Sequence, residues 1–525
     1  MARLQRRMKA SEANRLKSGY LVGFDSGTQS VKTIVCDKEG RVVGQAREEH
    51  VLHCPRQGWA EQNPEDWWKA FRVSLERALH DAGISSSEVD GIALAHQRST
   101  LAIVDGDCRP LLPAQVWHDS RSTEQVRWIN EKFGGDKCMN ITGCMPDVTW
   151  WAPKIMWVRD HEFDVFKKAY KFLTVHGFFV HRLTGEWKDS RASPSGVLDM
   201  ATLDYSNTLL DVLGIPREKL CDLVSPGEVI GYVSKDAARE TGLPVGLPVA
   251  AGAGDQQSGG LGCGVIDSNT AYLNLGTSVV VGTSSRRYIP HRNLIVRAGA
   301  IPGTWNPEAL LSSGYWMITW LKENFAVREV EAAKKMGIPP EEILDAEAEK
   351  LQAGSSGLIL QPYWLGVRQP YWDQDARGTI IGWTSSHRMG HLYRAAIEGI
   401  AYDIRLNLTG IERILDSSIK QIRIHGGGAK SKFSCQTVAD VLNRSVSTIS
   451  RVEATALGAA ALAATAIGLY AKVEDAATNM ARIETTFEPI QKNASVYESL
   501  YEEVYAKLYE TVRPLLRKIA QIDVT

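Results

Sequence analysis

A carboxylate set among small residues can reach a bound ligand without obstruction, and the segment Gly252-Ala253-Gly254-Asp255-Gln256-Gln257-Ser258-Gly259-Gly260 supplies one. Asp255 can accept the proton of an alcohol as its oxygen attacks phosphorus, with the amide of Gln256 beside it to bind a hydroxyl. The same aspartate also fits the N-cap of a following helix, a role that does not exclude catalysis. On either side in the chain stands a glycine-containing turn rich in hydroxyls: Asp25-Ser26-Gly27-Thr28-Gln29-Ser30 before it and Gly276-Thr277-Ser278 after it. Backbone N–H groups and hydroxyls at Thr28, Gln29, Ser30, Gly276 and Thr277 can cradle phosphate oxygens. Each turn alone is equally compatible with a plain hairpin. Their pairing points to a triphosphate gripped from both sides. Asp25, with Asp255 as a second carboxylate, is the candidate magnesium site, since magnesium keeps much of its water and needs few protein ligands.

Three further clusters add to this chemistry. Gly426-Gly427-Gly428-Ala429-Lys430-Ser431 follows an apolar run and leads toward a helix, so the bare backbone at Gly427, Gly428 and Ala429 can lie against a nucleotide. His96-Gln97-Arg98-Ser99-Thr100 lies just beyond another apolar run. Gln97, Arg98 and Ser99 there can bind several hydroxyls at once, while Arg98 also suits a surface ion pair. His118, in Trp117-His118-Asp119, is assigned no catalytic role.

The elements that must position these groups follow from periodicity. Tyr20 to Phe24, Val31 to Cys36 and a third run after Gly40 predict an antiparallel meander. Asn63-Pro64-Glu65-Asp66 opens a helix, with Asn as cap and Pro in the first turn, and Trp68, Phe71, Leu75 and Leu79 recur at helical spacing. Asp90 to Ala95 predicts a buried strand. The segment Ala271 to Ser284 repeats the opening hairpin, which suggests a duplicated α/β domain. Later helices are expected near 388 to 414, 434 to 443, 453 to 468 and 494 to 520, with a strand at Gln421 to His425. Trp150 and Trp151 fit either a sugar-facing wall or core packing.

A chain of 525 residues exceeds one ordinary core. The expected division is a basic disordered tail over 1–18, an N-terminal domain over 19–262 carrying substrate and base, and a nucleotide-binding C-terminal domain over 263–525. With 60 basic against 61 acidic residues there is no net field to draw nucleic acid or an anionic membrane, so the partner is a small solute. The eight cysteines show no CxxC spacing, which argues for reduced thiols and a cytoplasmic protein. Ala454 to Ala471 reads as a buried helix rather than a membrane span.

Taken together these motifs resemble the FGGY family of carbohydrate kinases within the actin-like ATPase superfamily. The resemblance runs from about residue 20 to 515 and includes Gly58-Trp59-Ala60-Glu61-Gln62, Ala152-Pro153-Lys154-Ile155-Met156-Trp157, Ala376-Arg377-Gly378 with Gly382, His391-Leu392 to Glu398, and Glu453-Ala454-Thr455-Ala456-Leu457-Gly458. It implies two ribonuclease-H-like domains around a central cleft, closing on ATP, magnesium and a sugar, with Asp255 as base and a homodimer possible. Glycerol kinases resemble this chain in Gly-Asp-Gln-Gln and His-Gln-Arg but have Glu where Ser99 stands. Xylulose kinases are more similar over Trp150 to Ser206. A pentulose such as xylulose is therefore the expected substrate, glycerol or another polyol the alternative, and a nucleotide-switched binding protein the alternative of another class.

Overall fold

The computed structural model describes residues 19–449 and 453–522. The basic tail expected over residues 1–18 lies outside them. Two compact units emerge, each built from more than one stretch of the chain. The first holds the described residues up to Ile266 together with Ser284–Asn306 and Val452–Arg482; the second holds Asp267–Thr283, Pro307–Arg451 and the segment from Ile483.

In the first unit the meander forms as expected: β1 (Tyr20–Ser26), β2 (Ser30–Cys36) and β3 (Val42–Glu49) pair antiparallel in succession. On the other side of β1 lie β4 (Val89–His96), then β6 (Pro248–Gly254), both parallel to their neighbours, and finally the antiparallel edge β5 (Val229–Tyr232). Strand β4 is buried along nearly its whole length, as an internal parallel strand must be. The helix Pro64–Ala82 begins where Asn63 accepts a hydrogen bond from the Glu65 N–H and ends at Gly83 in the left-handed region. It buries Trp67, Trp68, Phe71, Leu75 and Leu79 in the core of this unit. Each such side chain contributes about 1.5–3 kcal/mol of transfer free energy.

The alanine-rich helix Ala454–Ala466 explains why the division is discontinuous. Its side chains are too small to make a one-sided apolar stripe, and ten of its thirteen residues are buried. It lies close against β1 because Gly23 has no side chain: a Cβ there would stand 2.0 Å from the Ala456 carbonyl oxygen. Gly458 does the same for the helix Asp255–Gly262, since its Cβ would meet the Ser258 carbonyl oxygen at 1.9 Å. Among the described residues no helix is long and apolar enough to cross a membrane.

The second unit repeats the pairing scheme. Strands β7 (Thr270–Leu275), β8 (Val279–Thr283) and β9 (Trp305–Leu311) pair antiparallel in turn. Beyond β7 follow β10 (Gln421–His425) and β11 (Val446–Ile449), both parallel, and the antiparallel edge β12 (Ile483–Phe487). The duplication suggested by two hairpins thus extends to six strands of each sheet, the second sheet having a seventh strand, Ile295–Ala298. The helices Met389–Leu415 and Lys432–Leu442 fall where periodicity placed them, and the C-terminal segment is helical from Gln491 to Gln521 with a wider turn at Tyr501–Tyr505.

Candidate active site

Register brings the polar residues of the first unit together. Asp25 pairs with Ala95, Ser26 with His96, and Gly254 with His96, so β1, β4 and β6 end side by side. The residues that continue from those ends are the Gly27 turn, Gln97-Arg98-Ser99 and Asp255. Carboxyl ends of adjacent parallel strands are where open α/β sheets bind ligands.

Asp255 is the first residue of the helix Asp255–Gly262, with Gly254 as its cap, so its carboxylate faces the positive end of the helix. Arg98 Nε stands 3.2 Å from Asp255 Oδ1, and Gln256 Nε2 donates to Asp255 Oδ2 at 3.1 Å. A guanidinium on one oxygen and an amide on the other fix the plane of the carboxylate. The Arg98 stem lies against Gly254, where a Cβ would come within 2.5 Å of it.

Asp25 is opposite Lys32 across the β1–β2 pair, and Lys32 makes a 2.8 Å ion pair with Glu453. Its Oδ1 is buried without a hydrogen-bond partner. Burial pushes its carboxyl up to about 7; Lys32 opposes this, and the negative charges of Asp255 and Glu453 add to it. A buried carboxylate whose ionisation is opposed by a second one nearby, each with an oxygen that lacks a hydrogen-bond donor, suits a divalent cation that brings positive charge and its own water.

The Gly27 turn of this unit is braced by neighbouring side chains. Thr28 Oγ1 accepts from Trp117 Nε1 at 3.0 Å, and its carbonyl accepts from Gln62 Nε2 at 2.5 Å. The Gly27 N–H donates to the Ser30 carbonyl at 3.0 Å, closing the turn, while Gln29 is exposed. Lys154 donates to the carbonyls of Trp117 and Val148, and burial lowers its ammonium to about 7.

The expected hydroxyl-binding residues are partly engaged with the protein itself. Gln97 Nε2 donates to Gln62 Oε1 at 2.8 Å, which leaves its buried Oε1 without a partner. Ser99 adopts the left-handed conformation, with φ of 64°, and its Oγ lies 2.9 Å from Ser195 Oγ. His96, whose buried ring falls to about 4 and is therefore neutral near pH 7, contacts Ser193 Oγ at 3.0 Å. Trp150 and Trp151 are each 1% exposed, so both belong to the core and not to a sugar-facing wall.

In the second unit β7 and β10 end together, Asn274 pairing with His425. The turn Gly276-Thr277-Ser278 and the triple glycine are therefore neighbours. Gly426, with φ of 94°, packs against Leu275, where a Cβ would come within 3.0 Å of its carbonyl. Thr277 is exposed, and nothing lies within 4 Å of a Cβ built on Gly427, so both face open space. Gly428 sits over the Tyr315 ring, and Ala429 precedes the helix that Ser431 caps.

Ser193, Ser195, Gln257, Arg191 and Arg297 also approach Arg98, and sequence reasoning did not single them out. The available signal was a charge inside the apolar run Ile295–Ala298. Groups of three or more His, Cys, Asp or Glu arranged to hold a metal are absent among the described residues. A cation here would rest on one or two carboxylates.

The first unit thus carries a helix-borne aspartate at its strand ends, and the second a pair of neighbouring glycine turns. Models of the FGGY family of carbohydrate kinases match the chain, the N-terminal domain over residues 20–262 and the C-terminal domain over 271–467. The chain belongs to that family and is a carbohydrate kinase. It is 32% identical over 480 residues to a glycerol kinase of Thermococcus gammatolerans, covering 90% of this chain and 93% of that one. It is 29% identical over 488 residues to a xylulose kinase of Bacillus subtilis, covering 92% and 95%. The crystal structure of xylulose kinase from Rhodospirillum rubrum superposes with a TM-score of 0.85 at 27% identity, covering 95% of this chain and 100% of that one. The fold is that of the actin-like ATPases.

Proposed function

We propose that this kinase transfers the γ-phosphoryl group of ATP to a terminal primary hydroxyl of a small sugar, with Asp255 as the general base. The observation that carries the reading is the Asp255 carboxylate, held by Arg98 and Gln256 at the end of β6. As the substrate oxygen bonds to phosphorus, its proton passes to Asp255, and the bond from phosphorus to the ADP oxygen breaks. Arg98 at Oδ1 and Gln256 at Oδ2 keep the carboxylate oriented while the proton arrives. Asp25 and Asp255 would hold magnesium, which supplies positive charge to the phosphates when bound. Thr28, Gln29, Ser30, Gly276, Thr277, Gly427, Gly428 and Ala429 supply the backbone and hydroxyl donors for the nucleotide.

Among neutral acceptors the proposal places a ketose of about five carbons, such as xylulose, ahead of glycerol. Ser99 supports this: no carboxylate stands there, and its hydroxyl is turned to Ser195. Relatives named glycerol kinase and xylulose kinase match over similar lengths, which keeps a polyol as the second reading. The compartment consistent with eight free cysteines, seven of them buried, is the cytoplasm. An ADP-release assay over ketoses, alditols and aldonic acids, with saturating ATP and magnesium, tests the assignment. Sugar-dependent ADP release from any of them is the expected result, and its absence from all of them overturns the proposal.

A further inference from the structure

Arg297 lies in the strand Ile295–Ala298, 9% exposed, between Val296 and Ala298, which are almost fully buried. Its Nε and Nη1 are buried and have no hydrogen-bond partner, and no carboxylate pairs with it among the described residues. A buried guanidinium without an acceptor is costly, because it has given up water for nothing in return. It lines a small pocket together with Arg98, Arg191, Ser193, Ser195 and Gln257. Two of these cations are already committed. Arg98 sits 3.2 Å from Asp255, and Arg191 donates to the Leu203 carbonyl at 2.7 Å with Asp204 at 3.6 Å. The buried Gln257 Oε1 has no partner either, while its amide nitrogen makes long contacts of 3.4 and 3.3 Å to the Ala192 and Ala298 carbonyls. The pocket therefore holds one uncommitted buried cation with Ser193, Ser195 and Gln257 around it. Arg98, which lines the pocket, links it to Asp255.

We infer that the acceptor is a sugar acid, whose carboxylate binds Arg297 while its far terminal hydroxyl lies at Asp255. The inference rests on the kinase reading above. It keeps the short carbon chain and the terminal hydroxyl and changes the opposite end from neutral to anionic. A planar guanidinium offers two parallel N–H donors to a carboxylate, a match that a hydroxyl cannot complete. Ser193, Ser195 and Gln257 are then placed for hydroxyls of the intervening chain.

The test compares kcat/KM for five- and six-carbon aldonates with that for ketoses and alditols of equal length, in wild type, Arg297→Gln and Arg297→Lys. Wild type should prefer the acid, and Arg297→Gln should lower the acid-to-neutral ratio by about 100-fold, with partial recovery in Arg297→Lys. Thermal protection by an aldonate without nucleotide should appear in wild type and be lost in Arg297→Gln. This second readout also shows whether the variant is folded. A wild type that favours neutral sugars, or a ratio unmoved by Arg297→Gln, overturns the inference while the kinase reading stands. Protection by inorganic phosphate but by no aldonate also overturns it, in favour of an anion site separate from the substrate. Failure of every acid and neutral compound to release ADP would instead remove the kinase reading beneath it.

Discussion

Asp25→Asn should stabilise the nucleotide-free protein, and by more as the pH rises. Folding moves the Asp25 carboxyl from an ordinary 3.8 up to about 7, chiefly through burial. Below the unfolded value both states hold the proton and the residue costs nothing. Between the two values the unfolded chain has lost the proton that the folded one retains, so stability falls as pH rises. Above about 7 the whole cost is present. The full difference corresponds to a ceiling of about 4 kcal/mol, of which about 3 kcal/mol accrues between pH 5 and pH 8. Asp25 retains some solvent access and Lys32 faces it, so screening should reduce the measured growth to about 1–2 kcal/mol. Asparagine keeps the shape and cannot ionise. The assay is tryptophan-monitored unfolding of wild type and variant, without nucleotide or divalent ions, from pH 5 to pH 8. A stability gain for Asp25→Asn that widens with pH is expected. A difference that is flat, or that favours wild type increasingly at high pH, would refute the argument that this carboxylate is held at a cost. Magnesium with ATP should reverse the ranking by stabilising wild type more.

Thr277→Val removes an exposed hydroxyl from the second unit's turn. It should raise the KM for ATP about ten-fold, as loss of a hydrogen bond to a charged group does, with much less effect on the KM for sugar. Equal change in both constants would count against a phosphate contact. Gly458→Ala places a methyl group 1.9 Å from the Ser258 carbonyl oxygen, so the two helices must separate. Destabilisation of about 3 kcal/mol or more in denaturant unfolding is expected, and a loss below about 1 kcal/mol would mean that the contact is looser than described.

What the sequence revealed and what it concealed follow the range of the interactions involved. Local signals carried well. The β1 to β3 meander, the Asn63 cap and the boundaries of Met389–Leu415 all depend on neighbours within a few residues. The duplication was visible in the hairpins because the same turn chemistry recurs. The assignment of Ala454–Ala466 to the first unit was not visible, because an alanine-rich helix has no polar face to say which sheet it covers, and Gly23 announces its role only once that helix is beside it. In the site, Asp25 and Gln97 were found because each stands at the end of an apolar strand, and Asp255 because glycines and small residues surround it. That Gln97 spends a donor on Gln62, and that Ser99 turns to Ser195, depends on pairings 35 and 96 residues apart. Arg297 shows the same limit: a charge in an apolar strand is readable, but its lack of a partner is a property of the folded chain.

The most direct measurement is the turnover of Asp255→Asn, with nucleotide affinity and thermal midpoint recorded on the same preparation. The substitution keeps the side chain's shape and an oxygen for Gln256, and removes the charge that faces Arg98 together with the capacity to take a proton. The account predicts a fall in kcat of roughly 10²–10⁴-fold, with ATP binding and stability close to wild type. Turnover within a few-fold of wild type would contradict it, since the proton of the acceptor hydroxyl would then be leaving by another route.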